Sequence, residues 1–247
     1  MKYAIKHRYT DVVLYEADIP ADTPSGMQCR AALEKATQAK VNLSYSDLSG
    51  SDLRGSNLSY SNLRGSNLSG SDLRYSDLSG SNLSGSDLSY SKLSYSNLSG
   101  SNLSYSDLSG SNLSGSDLSY SDLRGSNLSG SDLSYSDLSG SDLSGSNLRG
   151  SDLSYSDLSG AIVRHQKLIG ARPFFHIGPI GSRCAQFVSY ITEAGLLLNA
   201  GCFWGTVDEF RAKLADEHGD NDHAKEYEMA LLMIEAHAAI WTPKEEA

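Results

Sequence analysis

The chain has 247 residues, with 20 Lys and Arg against 30 Asp and Glu, and therefore a net charge of −10. That length allows one large or two small domains. The acidic balance argues against direct nucleic-acid binding, which uses a basic face. We find no apolar run near the roughly 18 residues of a membrane span, and residues 1–8 lack the pattern of a signal peptide. A cytoplasmic protein is therefore expected.

The three cysteines, Cys29, Cys184 and Cys202, do not make a disulfide framework. We expect buried, reduced thiols, as is typical of a cytoplasmic protein. A bridge between Cys184 and Cys202 is the alternative that the sequence leaves open.

Residues 1–40 are predicted to form an N-terminal cap made of a hairpin and a helix. Residues 2–7 and 12–15 have the pattern of two short strands around a turn. Ser25 suits a helix N-cap, and residues 26–40 have the pattern of the helix that follows it.

A five-residue word, Ser-[Asp/Asn]-Leu-[Ser/Arg]-[Gly/Tyr], fills residues 41–160 in 24 consecutive units, each with leucine in third place. In an α-helix, steps of five rotate the leucine by about 140° each time, so no apolar face forms. In a straight strand, an odd step places successive leucines on opposite sides. The leucines share one core only if the chain turns a corner in every unit, which predicts a solenoid.

The word also predicts which side chains point inward. Its first and third positions lie two residues apart, so serine points inward with leucine, and the Asp or Asn between them points outward. Because an unpaired buried hydroxyl costs about 1–3 kcal/mol, we expect most of these serines to bond to backbone groups or to a serine one coil away.

The fifth position is Gly in 15 units and Tyr in nine. Because a bulky residue rarely adopts a positive φ, we expect that the tyrosine corners are not type II turns, whereas the glycine corners can be. These tyrosines are Tyr45, Tyr60, Tyr75, Tyr90, Tyr95, Tyr105, Tyr120, Tyr135 and Tyr155.

The word decays after Gly160, but Val163 and Leu168 still occupy the core position, so residues 41–170 are assigned to the repeat. Residues 171–247 differ in composition and predict a C-terminal α+β capping domain. Its strands are predicted at residues 172–177, 185–191 and 196–199.

Two helices are predicted to complete this domain. Thr206 and Glu209 form a capping box that begins a helix ending near His218. Asp222 is predicted to cap a second helix that ends near Trp241.

The word resembles that of the pentapeptide-repeat family, whose usual form is Ala-[Asp/Asn]-Leu-x-x. The resemblance covers residues 41–160 and implies an all-β solenoid, a right-handed quadrilateral β-helix in which four units make one coil, giving about six coils. The sequence departs from the family at the first position, where 23 of 24 units have Ser and the exception is Val41. So uniform an array between ordinary flanks favours an engineered consensus repeat, a de novo design between natural-like caps. A natural, recently duplicated array is the alternative.

The sequence assigns no residue a catalytic, cofactor-binding or metal-binding role. Residues 171–247 contain no Gly-x-Ser-x-Gly elbow and the repeat contains no histidine, so an enzyme is not predicted. One group of polar residues has two possible interpretations. It could bind a metal ion, or it could form a simple helix–helix turn with an N-cap Asp, and we favour the turn. This group consists of His218, Asp220, Asp222 and His223.

Residues 20 apart stack in the family fold, which would bring together several outward side chains. One interpretation is an aromatic and cationic docking strip, but we favour surface variety that maintains solubility. The pairs are Tyr75 with Tyr95, Tyr135 with Tyr155, and Arg54 with Arg74.

These observations favour a non-catalytic structural or scaffold protein without a specific ligand or cofactor. The resemblance implies an alternative, because some family members resemble duplex DNA in shape and charge and inhibit type II topoisomerases such as DNA gyrase. Ten neutral Asn at second positions, five Arg and Lys92 weaken that alternative. The partners considered are a second copy in a homodimer and, under the alternative, DNA gyrase, with neither direct nucleic-acid binding nor a membrane.

Overall fold

The computed structural model describes residues 1–170, 172–181 and 185–243. The chain forms two compact units, Met1–Asp157 and Leu158–Ala247. The domain limits drawn from the sequence, at residues 40 and 170, differ from this division and remain predictions.

The first unit begins with an antiparallel hairpin of β1 (Lys2–Lys6) and β2 (Val13–Asp18). A 3-10 turn at Ser25–Met27 then leads into α1 (Gln28–Gln38), whose buried side chains include Leu33. The predicted hairpin and helix are thereby confirmed.

The predicted N-cap at Ser25 is wrong. Pro24 occupies the N-cap position of the 3-10 turn, so Ser25 lies inside the turn, and neither the turn nor α1 has a side-chain cap. Pro24 and Ser25 are both exposed, and the Ser25 hydroxyl does not cap the helix as the sequence pattern predicts.

The hairpin and α1 bond to the first coil of the repeat. The backbone N–H of Asp47 donates to the carbonyl of Lys6 at 2.9 Å. The guanidinium of Arg30 donates to the carbonyls of Arg54 at 2.6 Å and Gly55 at 2.9 Å. The Asp47 N–H and the Arg54 carbonyl have no preceding coil to pair with, so the N-terminal segment satisfies part of a backbone edge that would otherwise be open.

Parallel bridges between residues 20 apart connect the repeat, from Asn42 with Asn62 to Asp137 with Asp157. A step of 20 residues is four units, so each coil contains four units. Of the 24 leucines, 23 are buried and Leu148 is half-buried. The predicted solenoid with a shared leucine core is confirmed.

Most units that have a coil on either side use their five backbone N–H groups in a fixed scheme. The first donates to the leucine carbonyl three residues before it, and the second donates to the preceding coil. The third and fifth donate to the following coil, and the fourth donates to the Asp or Asn of its own unit. Residues 81–85 show the scheme: Ser81 to Leu78 at 3.1 Å, Asn82 to Ser61 at 2.9 Å, Leu83 to Asn102 at 2.7 Å, Ser84 to Asn82 Oδ1 at 3.1 Å and Gly85 to Ser104 at 2.9 Å.

Most of the inward serines bond to backbone carbonyls, as predicted. Sixteen of the 23 donate Oγ to a leucine carbonyl; Ser106 reaches Leu103 at 2.5 Å, and Ser86 reaches Leu63 at 2.9 Å. Among the described residues, six buried serine hydroxyls have no hydrogen-bond partner: Ser46, Ser56, Ser61, Ser66, Ser91 and Ser101.

The prediction about the tyrosine corners is wrong. All nine tyrosines have φ between 55° and 61°, and the glycines in the same position have φ between 62° and 74°. Throughout residues 41–160 only the fifth residue has a positive φ, and the next N–H bonds back to the leucine carbonyl, which is the pattern of a type II turn. Tyrosine and glycine therefore make the same corner.

Tyrosine tolerates this corner because the ladder fixes it. The left-handed region is allowed for L-residues at a cost of about 1–2 kcal/mol. At Tyr60 the backbone N–H donates to Ser79 at 2.9 Å, and the ring lies against Gly80 of the following coil. These contacts offset the strain.

The second unit begins with a short pair, β3 (Ile162–Val163) and β4 (Gln166–Lys167). A four-stranded antiparallel sheet follows in the order β5-β6-β7-β8. Its strands are Phe174–Ile180, Ala185–Thr192, Gly195–Ala200 and Phe203–Gly205. The three strands predicted from the sequence are confirmed, and the fourth, β8, is an addition.

Two helices complete the unit, α2 (Val207–His218) and α3 (Asp222–Trp241). The predicted capping box of Thr206 and Glu209 is present, whereas the N-cap of α3 is Asn221 rather than Asp222. Sheet and helices enclose an aromatic and aliphatic cluster that includes Phe187, Leu198, Phe210, Tyr227, Leu231 and Ile234.

The cysteine predictions have mixed outcomes. Cys29 is buried, as expected, whereas Cys202 is exposed, which contradicts the expectation of burial. Cys202 lies in the turn between β7 and β8. Cys184 lies outside the described residues, and so does its proposed bridge to Cys202.

Candidate interaction surface

Second-position side chains cap the corners of the repeat. In 22 units the Oδ1 of the Asp or Asn accepts the backbone N–H two residues later, which is an Asx turn. Sequence reasoning placed these side chains outside but missed this role. The signal was the restriction to Asp and Asn, which share Oδ1; Lys92 has no such acceptor.

The charge of the repeat is uneven along its length. Residues 41–105 contain five Asp, Lys92 and three Arg, a net charge of −1. Residues 106–160 contain eight Asp and two Arg, a net charge of −6. The outward surface is therefore nearly neutral in the first half of the array and acidic in the second.

Three arginines neutralise aspartates beside them. Arg54, Arg74 and Arg124 each reach the Asp two residues before them at 2.6 Å. Hydrogen bonds from Arg54 lower the pKa of Asp52 to about 2, and the pKa values of Asp72 and Asp122 are lowered by their own arginines. The predicted neighbours Arg54 and Arg74 thus belong to a paired charge network.

Two pairs of tyrosines stack at one corner column, as predicted. The ring centroids of Tyr75 and Tyr95 are 5.5 Å apart, and those of Tyr135 and Tyr155 are 4.9 Å apart. All four rings are more than 60% exposed. They form ridges that solvent or a partner can reach.

Aspartates flank the ridge of Tyr135 and Tyr155 on both sides. Asp132 bridges to Asp152 in the column before this corner, and Asp137 bridges to Asp117 and Asp157 in the column after it. We call these five aspartates the acidic face. All are half-buried or exposed, so their charges are accessible to a partner.

Each unit also contains a depression. In the first, Arg30, Arg54, Arg74 and Tyr75 line an open cleft of about 350 Å³ beside α1. In the second, aromatic residues including Phe203, Phe210 and Tyr227 line a recess of about 40 Å³, with His218 at its border. That recess is far below the roughly 300–1,000 Å³ of a small-molecule site.

The polar group considered for metal binding lies at the turn between α2 and α3. The rings of His218 and His223 are 5.9 Å apart, and Asp222 pairs with Lys225 at 3.0 Å. The described ranges hold no group of three His, Cys, Asp or Glu placed for a metal ion. Nor does any helix in those ranges have the length and apolarity needed to cross a membrane.

The pentapeptide-repeat profile, described as "Pentapeptide repeats", matches the chain in eight copies between residues 39 and 164, just over half its length. The chain belongs to the pentapeptide-repeat family. Members of the family fold as a right-handed quadrilateral β-helix and are generally non-enzymatic. The bridges at a step of 20 residues give this pentapeptide-repeat protein the same four-unit coil. No curated protein sequence matches it significantly.

Solved structures of other pentapeptide-repeat proteins are similar to parts of the chain. HetL from Nostoc sp. strain PCC 7120, involved in heterocyst differentiation regulation, is 27% identical over 47% of this chain and 76% of its own, with a TM-score of 0.32. Rfr23 from Cyanothece 51142 is 32% identical over 38% of this chain and 58% of its own, with a TM-score of 0.22. QnrB1, a plasmid-mediated fluoroquinolone resistance protein, is 19% identical over 47% and 74%, with a TM-score of 0.35.

Proposed function

We propose that this protein is a non-catalytic scaffold: a pentapeptide-repeat β-helix of about six coils whose terminal segments act as caps. The supporting observation is the uniform bonding scheme of the repeat. Second-position side chains close corners and first-position side chains fill the interior, so most side chains of the repeat maintain the fold itself. An enzyme would need unlike polar groups that converge on one pocket.

The near-identity of the units also supports an engineered consensus origin for the array. The expected location of the protein is the cytoplasm of the cell that produces it. A scaffold of this kind should keep its structure when whole coils are removed. Deleting residues 101–120, which is one full coil, is expected to leave a cooperatively unfolding protein with an unchanged far-UV circular dichroism shape per residue. Deleting residues 101–107 breaks the five-residue phase and serves as the control. Loss of cooperative unfolding after the 20-residue deletion would contradict the scaffold proposal.

The acidic face supports a second candidate, a DNA mimic that binds a type II topoisomerase. Residues 106–160 correspond to about 2.75 coils, or about 13 Å at the strand spacing of ~4.8 Å. Six net charges over that length give one charge per about 2 Å, near the one per ~1.7 Å of duplex DNA. Residues 41–105 carry one net charge over about 16 Å.

A supercoiling assay with DNA gyrase separates the two candidates. The scaffold proposal expects no inhibition by the full chain at low micromolar concentration. Should inhibition occur, replacing the five aspartates of the acidic face by asparagine should abolish it. The matched control replaces five aspartates of the neutral half, namely Asp47, Asp52, Asp72, Asp77 and Asp87. Asparagine already occupies the same position in ten units, so both variants should fold.

A further inference from the structure

One corner column of the repeat holds four of the nine corner tyrosines. Residues at a step of 20 stack in this column, in the order Tyr75, Tyr95, Gly115, Tyr135 and Tyr155. Backbone N–H groups bond its middle corners to the coil that follows, at 3.0 Å from Tyr95 and 2.9 Å from Gly115. We call these five residues the tyrosine column. Gly115 interrupts it, because it is the one member without a ring.

The missing ring at Gly115 leaves a place in the stack open. The ring of Tyr95 leans toward the following coil and lies against Gly115, so a ring carried by residue 115 would lean toward Tyr135. At ~4.8 Å per coil, the rings of Tyr95 and Tyr135 are about 10 Å apart. A planar group midway between them would lie about 5 Å from each, a normal stacking distance. We call this space the ring gap.

Both walls of the ring gap are accessible and backed by a second ring. Tyr95 is 62% exposed and Tyr135 is 67% exposed. Tyr95 stacks on Tyr75 at 5.5 Å with an angle of 6° between the planes, and Tyr135 stacks on Tyr155 at 4.9 Å with an angle of 8°. A ligand that enters the gap therefore meets rings that are already oriented, which lowers the entropic cost of binding.

The charges beside the ring gap select a cation. Asp117 follows the corner of Gly115, and Asp132 and Asp137 lie on either side of the Tyr135 corner. Each of these carboxylates accepts its corner N–H with Oδ1, which leaves Oδ2 for a ligand. The faces of tyrosine rings also attract positive charge. We infer that the ring gap is a binding site for a planar aromatic cation.

Binding of N-methylacridinium, a planar cation whose fluorescence is quenched by stacking on tyrosine, tests this inference. Gly115→Tyr fills the gap and should weaken binding about tenfold or more. Residue 115 has a φ of 66°, near that of the tyrosine corners, so the variant should fold. The exposed ring of Tyr95, whose edge lies 2.7 Å from the added Cβ, must turn aside, and circular dichroism verifies the fold.

The matched control for this variant is Gly100→Tyr. It adds the same ring at a corner outside the tyrosine column, where the space around the glycine is open, and should leave binding unchanged. Unchanged binding by the folded Gly115→Tyr variant, or an equal loss in both variants, would overturn the inference. Quenching by the unsubstituted chain that does not saturate below about 1 mM would overturn it as well.

Removing a wall gives an independent readout if Gly115→Tyr does not fold. Tyr135→Gly deletes one stacking face of the ring gap and should weaken binding about tenfold or more. Tyr90→Gly deletes a ring outside the tyrosine column and should have no effect. Glycine already occupies 15 corners, so both variants should fold. Equal affinities for these two variants would refute the ring gap as the site.

The neutral parent acridine, measured at pH 8, tests the charge preference. It has the same ring system without the fixed charge and should bind the unsubstituted chain several-fold more weakly than N-methylacridinium. The triple variant Asp117→Asn/Asp132→Asn/Asp137→Asn should remove that difference, because the stacking faces remain and the carboxylates do not. Equal binding of both compounds to the unsubstituted chain would exclude a cation-selective site.

Discussion

The repeat and the second unit are stabilised in different ways. In the repeat, leucine and serine fill the interior at fixed positions of every unit, and backbone groups find their partners because every coil repeats the coil before it. In the second unit, unlike aromatic residues interlock, with the rings of Phe187 and Phe210 4.8 Å apart and those of Phe187 and Tyr227 5.7 Å apart. The repeat is thus specified by a period, whereas the second unit is specified by the shapes of individual side chains.

The largest expected effect is in the aromatic cluster. Phe187→Ala should lower the free energy of unfolding of the second unit by about 3–5 kcal/mol, because the cavity cannot be filled by neighbouring rings. Urea unfolding followed by tryptophan fluorescence measures this unit, which contains both tryptophans, Trp204 and Trp241. The control Phe187→Leu should cost less than about 1.5 kcal/mol. Equal costs for the two variants would contradict shape-specific packing.

Leucines of the repeat should differ only by burial. Leu103→Ala removes a fully buried side chain and should cost about 2–5 kcal/mol, whereas Leu148→Ala, at a half-buried site, should cost about half as much. Thermal unfolding followed by far-UV circular dichroism gives the comparison. A larger loss of stability for Leu148→Ala than for Leu103→Ala would contradict the expectation that burial alone distinguishes the leucines.

A missing corner cap should be restorable. Lys92→Asn supplies the Oδ1 that every other unit has and should stabilise the array by about 1 kcal/mol, the value of a comparable side-chain cap. The control Lys92→Gln carries the same amide one methylene further out and should gain less. The melting temperatures of both variants and of the unsubstituted chain decide, and a gain for Gln that equals that for Asn would remove the corner-capping explanation.

The smallest effect concerns the inward serines. Ser106→Ala removes a bond to Leu103 and should cost about 0.5–1 kcal/mol, because the carbonyl keeps its backbone donor. Ser101→Ala removes a hydroxyl that has no partner among the described residues and should be neutral or stabilising. Chemical denaturation of the two variants, measured side by side, gives the change in the free energy of unfolding for each. A change in the same direction for both variants would argue against this distinction.

Much of the fold follows from the sequence because the five-residue period admits few solutions. The leucine core, the inward serines and the capping box at Thr206 were all predictable from local chemistry and spacing. The stacked pairs Tyr75–Tyr95 and Tyr135–Tyr155 followed from the coil length that the family resemblance implies.

Other features depend on contacts that no local pattern reveals. The tyrosine corners adopt a positive φ, against the steric preference of isolated residues, because the backbone hydrogen bonds between coils impose one φ on every fifth residue. Strand β8 is only three residues long, too short to show a period. Helix α3 has a buried apolar face that includes Leu231 and Ile234, and its other face exposes Leu232 and Met233. The sequence does not distinguish these two faces, because both are apolar and only packing separates them.

The step of 20 residues has a consequence for how such an array can change in length. Adding or removing one pentapeptide would keep every strand in register with its neighbours, because any unit can stand above any other. It would also turn everything downstream by a quarter of a revolution. The carboxylates around Tyr135 and Tyr155 would then point in a new direction relative to the N-terminal hairpin. A change in length therefore rotates the outward side chains about the solenoid axis without disturbing the interior.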